Sequence, residues 1–557
     1  RPFEQDVVGD IGSALWVIMG TIGGVLLIAC ANVANLLLVR AEGRQHELSI
    51  RTALGAGRRR IVRDLLTESL ALGLAGGILG LLTAWGAVRL LIAIAPANLP
   101  RLDEISVDPP VIALTLAVSV VAGLLFGVIP AFRYAGVRAG TGLREGGRGM
   151  SHSKDRLRAR NVLVVVQVAL ALVLLIGSGL MIRTFQALNR VQPGFTNPEE
   201  VLTMRVSLPR ALVKEPEAVA RLHNQILDRL AQVPGVRSVA FSTGITLDGH
   251  SSGDLMFVQD QPLPEGKVPP VRRFKFMSPG YFATMGNHFV AGRDLTWTDV
   301  YNYRPVIIIT ENMARELWGT PAAALGKHMR EGSKSDWREV IGVVGNEYDE
   351  GVHQKPPTNV YWPLVLKHFW GEEMQVQRTV AFAIRSPRTG SAQFLNQVQQ
   401  AVWSVTPNTP IANVRTVGDI YRKSMARTSF TLVMLSIAGA MALALGLVGI
   451  YGAISYSVSQ RQREIGIRMA LGARQAQVRA MFVRSGLGLA GLGVVCGLAA
   501  AVALTRWMKS LLFGVGASDP ITWGAMAAAM VVAALAASYV PARRATQVDP
   551  IDTLRAE

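Results

Sequence analysis

Two serines in the chain have neighbours at the spacing that nucleophilic catalysis needs. Gly249-His-Ser251-Ser-Gly253 matches G-x-S-x-G, in which the serine lies on a sharp turn between a strand and a helix. A polar turn at Leu247 and Asp248 precedes it and a strand-like run follows it, so a Gly/Ser-rich loop is the favoured interpretation. Ser151 and Lys154 match S-x-x-K, but they lie in a charged segment where the lysine would stay solvated and protonated. Neither pattern predicts an enzyme.

The sequence also lacks the motifs of nucleotide-binding and metal-binding sites. Gly326-Lys327 is followed by His328, and no G-x-x-x-x-G-K-[ST] sequence occurs, so we expect no P-loop. H-E-x-x-H is missing, because Ile50 stands where a second histidine would follow His46-Glu47. Cys30 and Cys496 lie inside apolar runs and cannot form a disulfide framework. We therefore expect no catalytic, cofactor-binding or metal-binding residues.

A different kind of chemistry is suggested by a segment that occurs twice. Glu47-Leu-Ser-Ile-Arg51-Thr-Ala-Leu54-Gly55-Ala56 recurs 417 residues later as Glu464-Ile-Gly-Ile-Arg468-Met-Ala-Leu471-Gly472-Ala473. In each copy a glutamate and an arginine stand four residues apart, and we expect their carboxylate and guanidinium to hold the turn. Further matches follow in the same order: Asp108-Pro with Asp519-Pro, Pro130-Ala-Phe-Arg with Pro541-Ala-Arg-Arg, and Leu143-Arg144 with Leu554-Arg555. These matches predict an internal duplication.

The repeated segment has two interpretations. Each copy carries an apolar stripe beside arginines: Ile50, Ala53, Leu54, Ile61, Leu65 and Leu66 in the first, and Ile467, Ala470, Leu471, Val478, Met481 and Phe482 in the second. An amphipathic helix lying on the inner leaflet would explain the stripe. The recurrence of Glu-x-x-x-Arg and Ala-Leu-Gly-Ala at matched positions favours instead a shaped surface that docks a cytoplasmic partner. On this interpretation the docking residues are Glu47, Ile50, Arg51, Ala53, Leu54, Gly55, Ala56, Glu464, Ile467, Arg468, Ala470, Leu471, Gly472 and Ala473.

Long apolar runs surround both copies. With a mean hydropathy of +0.30, the chain contains seven runs long enough to cross a bilayer. The expected spans are 11–39, 69–95, 111–132, 162–182, 430–458, 486–508 and 521–540. Arginines cluster at one end of these runs, which places those ends and the C-terminus in the cytoplasm. The net charge of +18 is therefore typical of a membrane protein, and we expect no nucleic-acid partner.

The residues inside the spans argue against one class of transporter. The span interiors carry almost no ionisable groups, whereas ion-coupled secondary transporters need charged or unwound sites at the membrane midplane. Small residues instead recur along two spans, at Gly73, Gly76, Gly77 and Gly80 and at Gly446, Gly449 and Gly452. They predict close helix packing, with a sliding surface as the alternative.

A polar stretch with the composition of an ordinary soluble domain separates the fourth and fifth spans. Strand-like alternation at 201–208, short buried-strand candidates, and helical stripes at 219–230 and 394–402 predict an α+β ectodomain. The expected domains are a first transmembrane module (1–135), a basic cytoplasmic linker (136–160), a leading span (161–183), the ectodomain (184–428) and a second transmembrane module (429–557). Because only the second module has a leading span and an ectodomain, we expect an upstream span and a second ectodomain before residue 1.

At these residues the sequence resembles the FtsX-like/MacB-like permeases of ABC systems, in which Glu-Ile-Gly-Ile-Arg-x-Ala-Leu-Gly-Ala follows the second span of each module. The first copy departs mildly, with Leu48-Ser49 in place of Ile-Gly. The ectodomain is similar to the MacB-type periplasmic core domain at Ser278-Pro-Gly-Tyr-Phe-Ala-Thr-Met-Gly, Gly292-Arg-Asp294, 306–318 and Pro357-Thr-Asn-Val-Tyr-Trp-Pro363. The duplicated single-chain layout resembles the duplicated orphan permeases (ADOP).

The resemblance implies a polytopic α-helical protein of the inner membrane with an inserted α+β periplasmic domain. It implies a non-catalytic permease subunit of an ABC-type export or mechanotransmission complex. A separate cytoplasmic ATPase would dock at the repeated segment and supply ATP hydrolysis, so this chain would bind no cofactor directly. A periplasmic adaptor or an outer-membrane duct is a further expected partner. The alternative is an FtsX-like regulator of an envelope enzyme or signal.

Overall fold

The computed structural model describes residues 11–43, 57–94, 107–134 and 150–546, apart from residues 251, 265 and 408. Two compact units share these residues. One combines Arg1–Phe185 with Thr431–Glu557, and the other is Gln186–Phe430. The described part of the first unit is helical, and the second unit contains the β-sheets.

Eight of the described α-helices belong wholly or largely to the first unit. They are α1 (Ile11–Gly43), α2 (Arg58–Ile94), α3 (Pro109–Tyr134), α4 (Met150–Leu188), α10 (Val417–Gln460), α11 (Gln462–Ala470), α12 (Gln475–Trp507) and α13 (Pro520–Ala545). Among the described residues, six helices contain stretches long and apolar enough to cross a membrane, and α3 adds a shorter apolar stretch, Pro109–Leu125. The predicted class, a polytopic helical membrane protein with an inserted α+β domain, is confirmed.

Two helices begin earlier than their expected spans. Helix α2 starts at Arg58 rather than near residue 69, so that the arginines form its first turns. Helix α4 starts at Met150, which makes the end of the linker expected at 136–160 helical. Neither added segment contains glycine or proline, and both are rich in arginine, which favours helix. Hydropathy alone therefore underestimated both helices.

Helices α2 and α3 pack through small residues that recur every four positions on each helix. These are Ser69, Gly73 and Gly77 on α2, and Ser119, Gly123 and Gly127 on α3. A Cβ atom built on Gly77 would lie 2.2 Å from Ser119 Oγ, and one built on Gly127 would lie 2.8 Å from Ser69 Oγ. The missing side chains thus allow the two helices to approach closely.

The same close helix contact occurs in the second repeat, with serine and glycine exchanged between the two helices. Gly486 on α12 stands where Ser69 stands on α2, and Ser538 on α13 stands where Gly127 stands on α3. A Cβ atom built on Gly486 would lie 2.1 Å from Ser538 Oγ. The duplication predicted from the sequence is therefore repeated in three dimensions at this helix crossing.

Buried amides lie where α1, α4 and α10 meet. The side chains of Asn32 and Asn35 on α1 and of Gln167 on α4 are 7%, 3% and 1% exposed. Asn32 Nδ2 donates to the carbonyl oxygen of Leu445 on α10 at 2.8 Å. Neither amide atom of Gln167 has a hydrogen-bond partner among the described residues. Unmet buried polar groups are unfavourable, so this junction carries a free-energy cost of roughly 1–3 kcal/mol per group.

The second unit is built from fourteen strands and five α-helices in the part that the structure describes. The helices are α5 (Pro216–Ala231), α6 (Tyr281–Met285), α7 (Trp297–Tyr301), α8 (Glu311–Trp318) and α9 (Ala392–Val405). The strands are β1 (Val201–Ser207), β2 (Ser238–Ser242), β3 (Ser252–Leu255), β4 (Phe257–Val258), β5 (Val271–Met277), β6 (Phe289–Gly292), β7 (Val306–Thr310), β8 (His328–Arg330), β9 (Arg338–Val344), β10 (Asn359–Pro363), β11 (Val365–Phe369), β12 (Glu372–Val376), β13 (Thr379–Arg385) and β14 (Ile411–Thr416).

One mixed sheet organises this unit. Its order is β14-β1-β13-β2-β5-β10-β7-β9-β8-β4, with β3 paired to β5 and β6 paired to β9, while β11 and β12 form a separate hairpin. The pairs β5–β10 and β7–β9 are parallel, and the other pairs are antiparallel. Helices α5 and α9 bury the apolar faces that their periodicity predicts, at Val219, Ile226, Leu230, Phe394, Val398 and Val402.

Candidate functional site

The predicted docking residues fall on two separate copies. The first copy, residues 47–56, lies outside the described residues. The second copy, Glu464 to Ala473, comprises most of helix α11 and the turn that follows it. The geometry of the candidate site is therefore that of the second copy.

Helix α11 is a short helix set off from α10 by one residue. Arg461 leaves the helical conformation, with φ −112° and ψ 15°, and α11 then runs from Gln462. Arg468 Nη2 lies 2.5 Å from Glu464 Oε1, an ion pair across one helical turn. Arg468 Nη1 also contacts Met481 Sδ on α12 at 3.3 Å. Arg468 thus links α11 both to its own first turn and to the next helix.

The Ala-Leu-Gly-Ala sequence forms the turn that ends α11. Gly472 has a φ of +89°, and its N–H donates to the carbonyl oxygen of Met469 at 3.0 Å. The N–H of Ala473 donates to the carbonyl oxygen of Arg468 at 2.9 Å. These two bonds and the left-handed glycine are a Schellman motif. A Cβ atom on Gly472 would meet nothing within 4 Å, so the positive φ and not crowding requires glycine here.

This turn divides the apolar stripe into two surfaces. Val478 and Phe482 on α12 are 5% and 2% exposed, and both belong to the core of the helical unit. Ile467 and Leu471, by contrast, are 46% and 83% exposed. Sequence periodicity had placed all four on one face, because it could not show that the chain changes direction at Gly472. Only the α11 part is available to a partner.

Ile465 is a residue of this site that the sequence interpretation missed. It is 5% exposed and packs in the same core as Val478 and Phe482. The sequence did contain a signal for two different roles. Ile465 and Ile467 are two positions apart, and residues at that spacing face different directions on a helix. Ile465 holds α11 to the bundle while Ile467 stays outside.

The exposed surface of α11 and its flanks combines cationic and apolar groups. Arg461 and Arg474 are exposed on either side of the helix in sequence, and Arg468 is half-exposed. Leu471, at the end of the helix, is the most exposed of the site's apolar side chains. Such a surface can insert an apolar side chain into a pocket whose edge carries carboxylates.

The serine patterns gain no support from their surroundings. Ser251 lies outside the described residues, and the segment directly after it is strand β3 rather than the helix that a nucleophile elbow needs. Ser151 and Lys154 lie on helix α4. Across the described ranges, no cluster of three or more His, Cys, Asp or Glu side chains could hold a metal ion.

One strongly perturbed ionisable group lies in the sheet unit. Lys275 Nζ contacts Glu347 Oε2 and Asp349 Oδ1 at 2.7 Å each, and all three side chains are buried. Burial alone would lower the pKa of Lys275, but the carboxylates of Asp349 and Glu347 raise it well above its ordinary value. Perturbed groups often mark active sites. Here the cluster is enclosed and joins β5 to the segment after β9, so its role is structural.

Two families match this chain. The family described as FtsX-like permease C-terminal matches residues 19–138 and again 436–550. The family described as MacB-like periplasmic core domain matches residues 161–401. The two FtsX-like matches correspond to the two helical repeats, and the second contains α11.

The curated relatives are longer proteins. The macrolide export ATP-binding/permease protein MacB of Nitrosomonas europaea is 27% identical over 296 residues, which are 51% of this chain and 43% of the relative. The pyoverdine export ATP-binding/permease protein PvdT of Pseudomonas savastanoi pv. phaseolicola is 35% identical over 139 residues, 24% of this chain and 20% of the relative. The chain thus spans less than half the length of the relatives it matches.

A solved structure, the periplasmic region of MacB from Actinobacillus actinomycetemcomitans, is similar over 41% of this chain and 94% of that chain. The sequence identity is 15% and the TM-score 0.27. The family assignment rests on the sequence matches, which cover both helical repeats and most of the sheet unit. The chain belongs to the MacB-like ABC permeases, with two FtsX-like modules and a MacB-like periplasmic core domain in one multi-pass membrane protein.

Proposed function

We propose that this chain is the permease subunit of an ABC-type export complex driven by a separate cytoplasmic ATPase that docks at α11. The observation that carries the proposal is the exposed Leu471 at the end of a helix fixed by Arg468 and Gly472. An exposed apolar side chain on a backbone already held in place loses less conformational freedom on binding than one on a loose segment, which favours a docking contact.

Two further observations support an ATPase partner. The relatives named above are ATP-binding/permease proteins, so ATP binding and permease function are joined in them. The Glu-x-x-x-Arg segment occurs once in each module of the sequence, as docking of two ATPase subunits or of two halves of a dimer would require.

The proposed topology places α11 and the C-terminus in the cytoplasm and the sheet unit in the periplasm of an inner-membrane protein. The arginines that follow α10 and end α13 support this orientation. ATP binding and hydrolysis would move the docking helices, and the spans would carry that motion to the periplasmic unit. A periplasmic adaptor or outer-membrane duct would complete the export route.

The FtsX-like match of both modules also fits a second function, a membrane regulator of an envelope enzyme or signal. The two functions share the ATPase and differ in the periplasmic partner. An adaptor or duct supports export, whereas a cell-wall hydrolase supports regulation.

The test is affinity purification from native membranes in mild detergent, with partners identified by mass spectrometry. Leu471→Asp should abolish recovery of a small ABC ATPase, and Arg51→Glu with Arg468→Glu should do the same. Leu212→Asp is the matched control, because Leu212 is an exposed leucine, at 52%, in the sheet unit. An ATPase that is still recovered with Leu471→Asp would contradict docking at α11. A wild-type complex without any ATPase, even after chemical crosslinking, would contradict the energised permease itself.

A further inference from the structure

A groove of about 440 Å³ lies on the sheet unit between β4, α8 and the loop that joins β4 to β5. Its volume falls within the range of about 300–1,000 Å³ that is usual for small-molecule sites. The floor is formed by three methionines, Met256, Met313 and Met329, each at most 2% exposed. Methionine is flexible and polarisable, so that such a floor adapts to chains of different shape.

The rim of the groove is cationic. Arg330, on β8, lies with its guanidinium carbon 4.3 Å from the centre of the Trp337 ring and 5.7 Å from that of Phe257. Its Nε atom is buried and has no hydrogen-bond partner among the described residues. Lys267 lies on the loop at the same groove. Within the part of the chain that the structure describes, neither Arg330 nor Lys267 forms an ion pair with a carboxylate.

The acidic groups nearby are already engaged with other cations. Glu316 pairs with Arg272, the third cation of the groove, at 2.5 Å. Asp260 pairs with Lys327 at 2.7 Å and accepts a hydrogen bond from Trp318 Nε1 at 3.1 Å. Among the described residues, the positive charges of Arg330 and Lys267 are therefore not paired with a carboxylate, and they lie beside an apolar floor.

We propose that this groove binds an alkyl carboxylate, with its chain on the methionine floor and its carboxylate at Arg330 and Lys267. The carboxylate would accept hydrogen bonds from the guanidinium and the ammonium, including the unmet donor at Arg330 Nε. The chain would cover Leu263, which is 41% exposed at the groove. Burial of apolar surface and charge pairing then favour the same ligand. This inference is independent of ATPase docking.

The test uses the full chain in lipid nanodiscs and an alkyl carboxylate that carries a photoreactive diazirine on its chain. Labelled peptides are identified by mass spectrometry, which separates labelling at the groove from labelling of the spans. We expect labelling on the α8 and β8 peptides, and competition by octanoate but not by octylamine. The charge of the competitor thus tests the cationic rim separately from the apolar floor.

The variants separate a lost site from a lost fold. Lys267→Glu, on an exposed loop, and Arg330→Gln should each reduce groove labelling by about 10-fold, the effect of losing one charged hydrogen bond. Lys214→Glu changes an exposed lysine away from the groove and should leave labelling unchanged. Labelling within twofold of wild type in Lys267→Glu and Arg330→Gln would overturn the proposal, as would equal competition by octylamine. Leu263→Ser removes an apolar contact with the alkyl chain without adding a charge beside either cation, and it should also reduce labelling.

Discussion

Asn32 and Gly449 occupy the same position in the two repeats, 417 residues apart, and they lie against each other in the folded protein. A Cβ atom built on Gly449 would be 3.0 Å from Asn32 Oδ1. Asn35 and Gly452 form a second such pair one turn further on, with 3.9 Å between Asn35 Nδ2 and a Cβ built on Gly452. Helices α1 and α10 thus meet at equivalent positions through unlike residues, an amide on one side and a glycine on the other.

Gly449→Ala should destabilise the helical unit. The added methyl group would lie 2.1 Å from Gln167 Oε1, so either the glutamine or the helices must move. Overpacking of this kind costs about 1–3 kcal/mol. Gly446→Ala is the matched control one turn away, where the nearest atom is Ala171 Cβ at 3.6 Å. Thermal unfolding in detergent should show a lower Tm for Gly449→Ala and a nearly unchanged Tm for Gly446→Ala; equal values would contradict the packing described at Gly449.

Gly77→Val should separate α2 from α3, whereas Gly76→Val should not. The two glycines are neighbours in sequence, but a Cβ on Gly77 would lie 2.2 Å from Ser119 Oγ and one on Gly76 would meet nothing within 4 Å. Thermal unfolding in detergent can measure the effect, because overpacking at a helix contact lowers stability. Equal Tm values for Gly77→Val and Gly76→Val would show that the small residues do not set the helix distance.

Gly472→Ala should loosen the turn at the end of α11. Alanine in the left-handed conformation costs roughly 1 kcal/mol, so the Schellman bonds to Met469 and Arg468 should open more often. Hydrogen exchange of a peptide spanning 466–474 should become faster. Gly488→Ala is a suitable control, since Gly488 lies in the interior of α12 with nothing within 4 Å of a built Cβ. Unchanged exchange in Gly472→Ala would mean that the turn does not depend on its glycine.

The stability of the sheet unit should fall as the pH falls from about 6.5 to about 4. Burial between Phe241 and Phe382 lowers the pKa of His223 to about 4, because the charged ring is poorly solvated there. The unfolded chain takes up a proton near pH 6.5, whereas the folded unit does not, so protons favour the unfolded state in this window. The full effect of this histidine is roughly 3 kcal/mol.

His223→Leu removes that titration, so the free energy of unfolding of the variant should depend less on pH. Chemical denaturation of both proteins at pH 7 and pH 4.5 measures the two slopes, and other titrating groups cancel in the comparison. Identical slopes for wild type and variant would show that His223 does not contribute.

The features that the sequence predicted correctly are those with a local signal. Apolar runs located the long apolar helices, and the strand-like run at 201–208 located β1, although that strand is buried on both faces. The stripe at Val219, Ile226 and Leu230 located α5, because burial of one face imposes a period of 3.6 on a helix. Each of these patterns is written into a short stretch of chain.

The features that the sequence could not predict depend on a distant partner. Of the four glycines between residues 73 and 80 on α2, Gly73 and Gly77 face α3, and the choice between them and Gly76 or Gly80 depends on how the helices are rotated. The ion pair of Lys275 with Glu347 joins residues 72 positions apart. At the candidate docking site, periodicity placed Leu471 and Phe482 on one face although the turn between them separates them.

The exchange of serine and glycine between the repeats has a consequence for comparing them. Aligned as sequences, Ser69 over Gly486 and Gly127 over Ser538 count as two independent mismatches. In the protein they are one compensated change, since each hydroxyl still lies opposite a residue without a side chain. Percentage identity between the halves therefore understates their common ancestry, and a search for covarying positions should score these four residues as a single linked event.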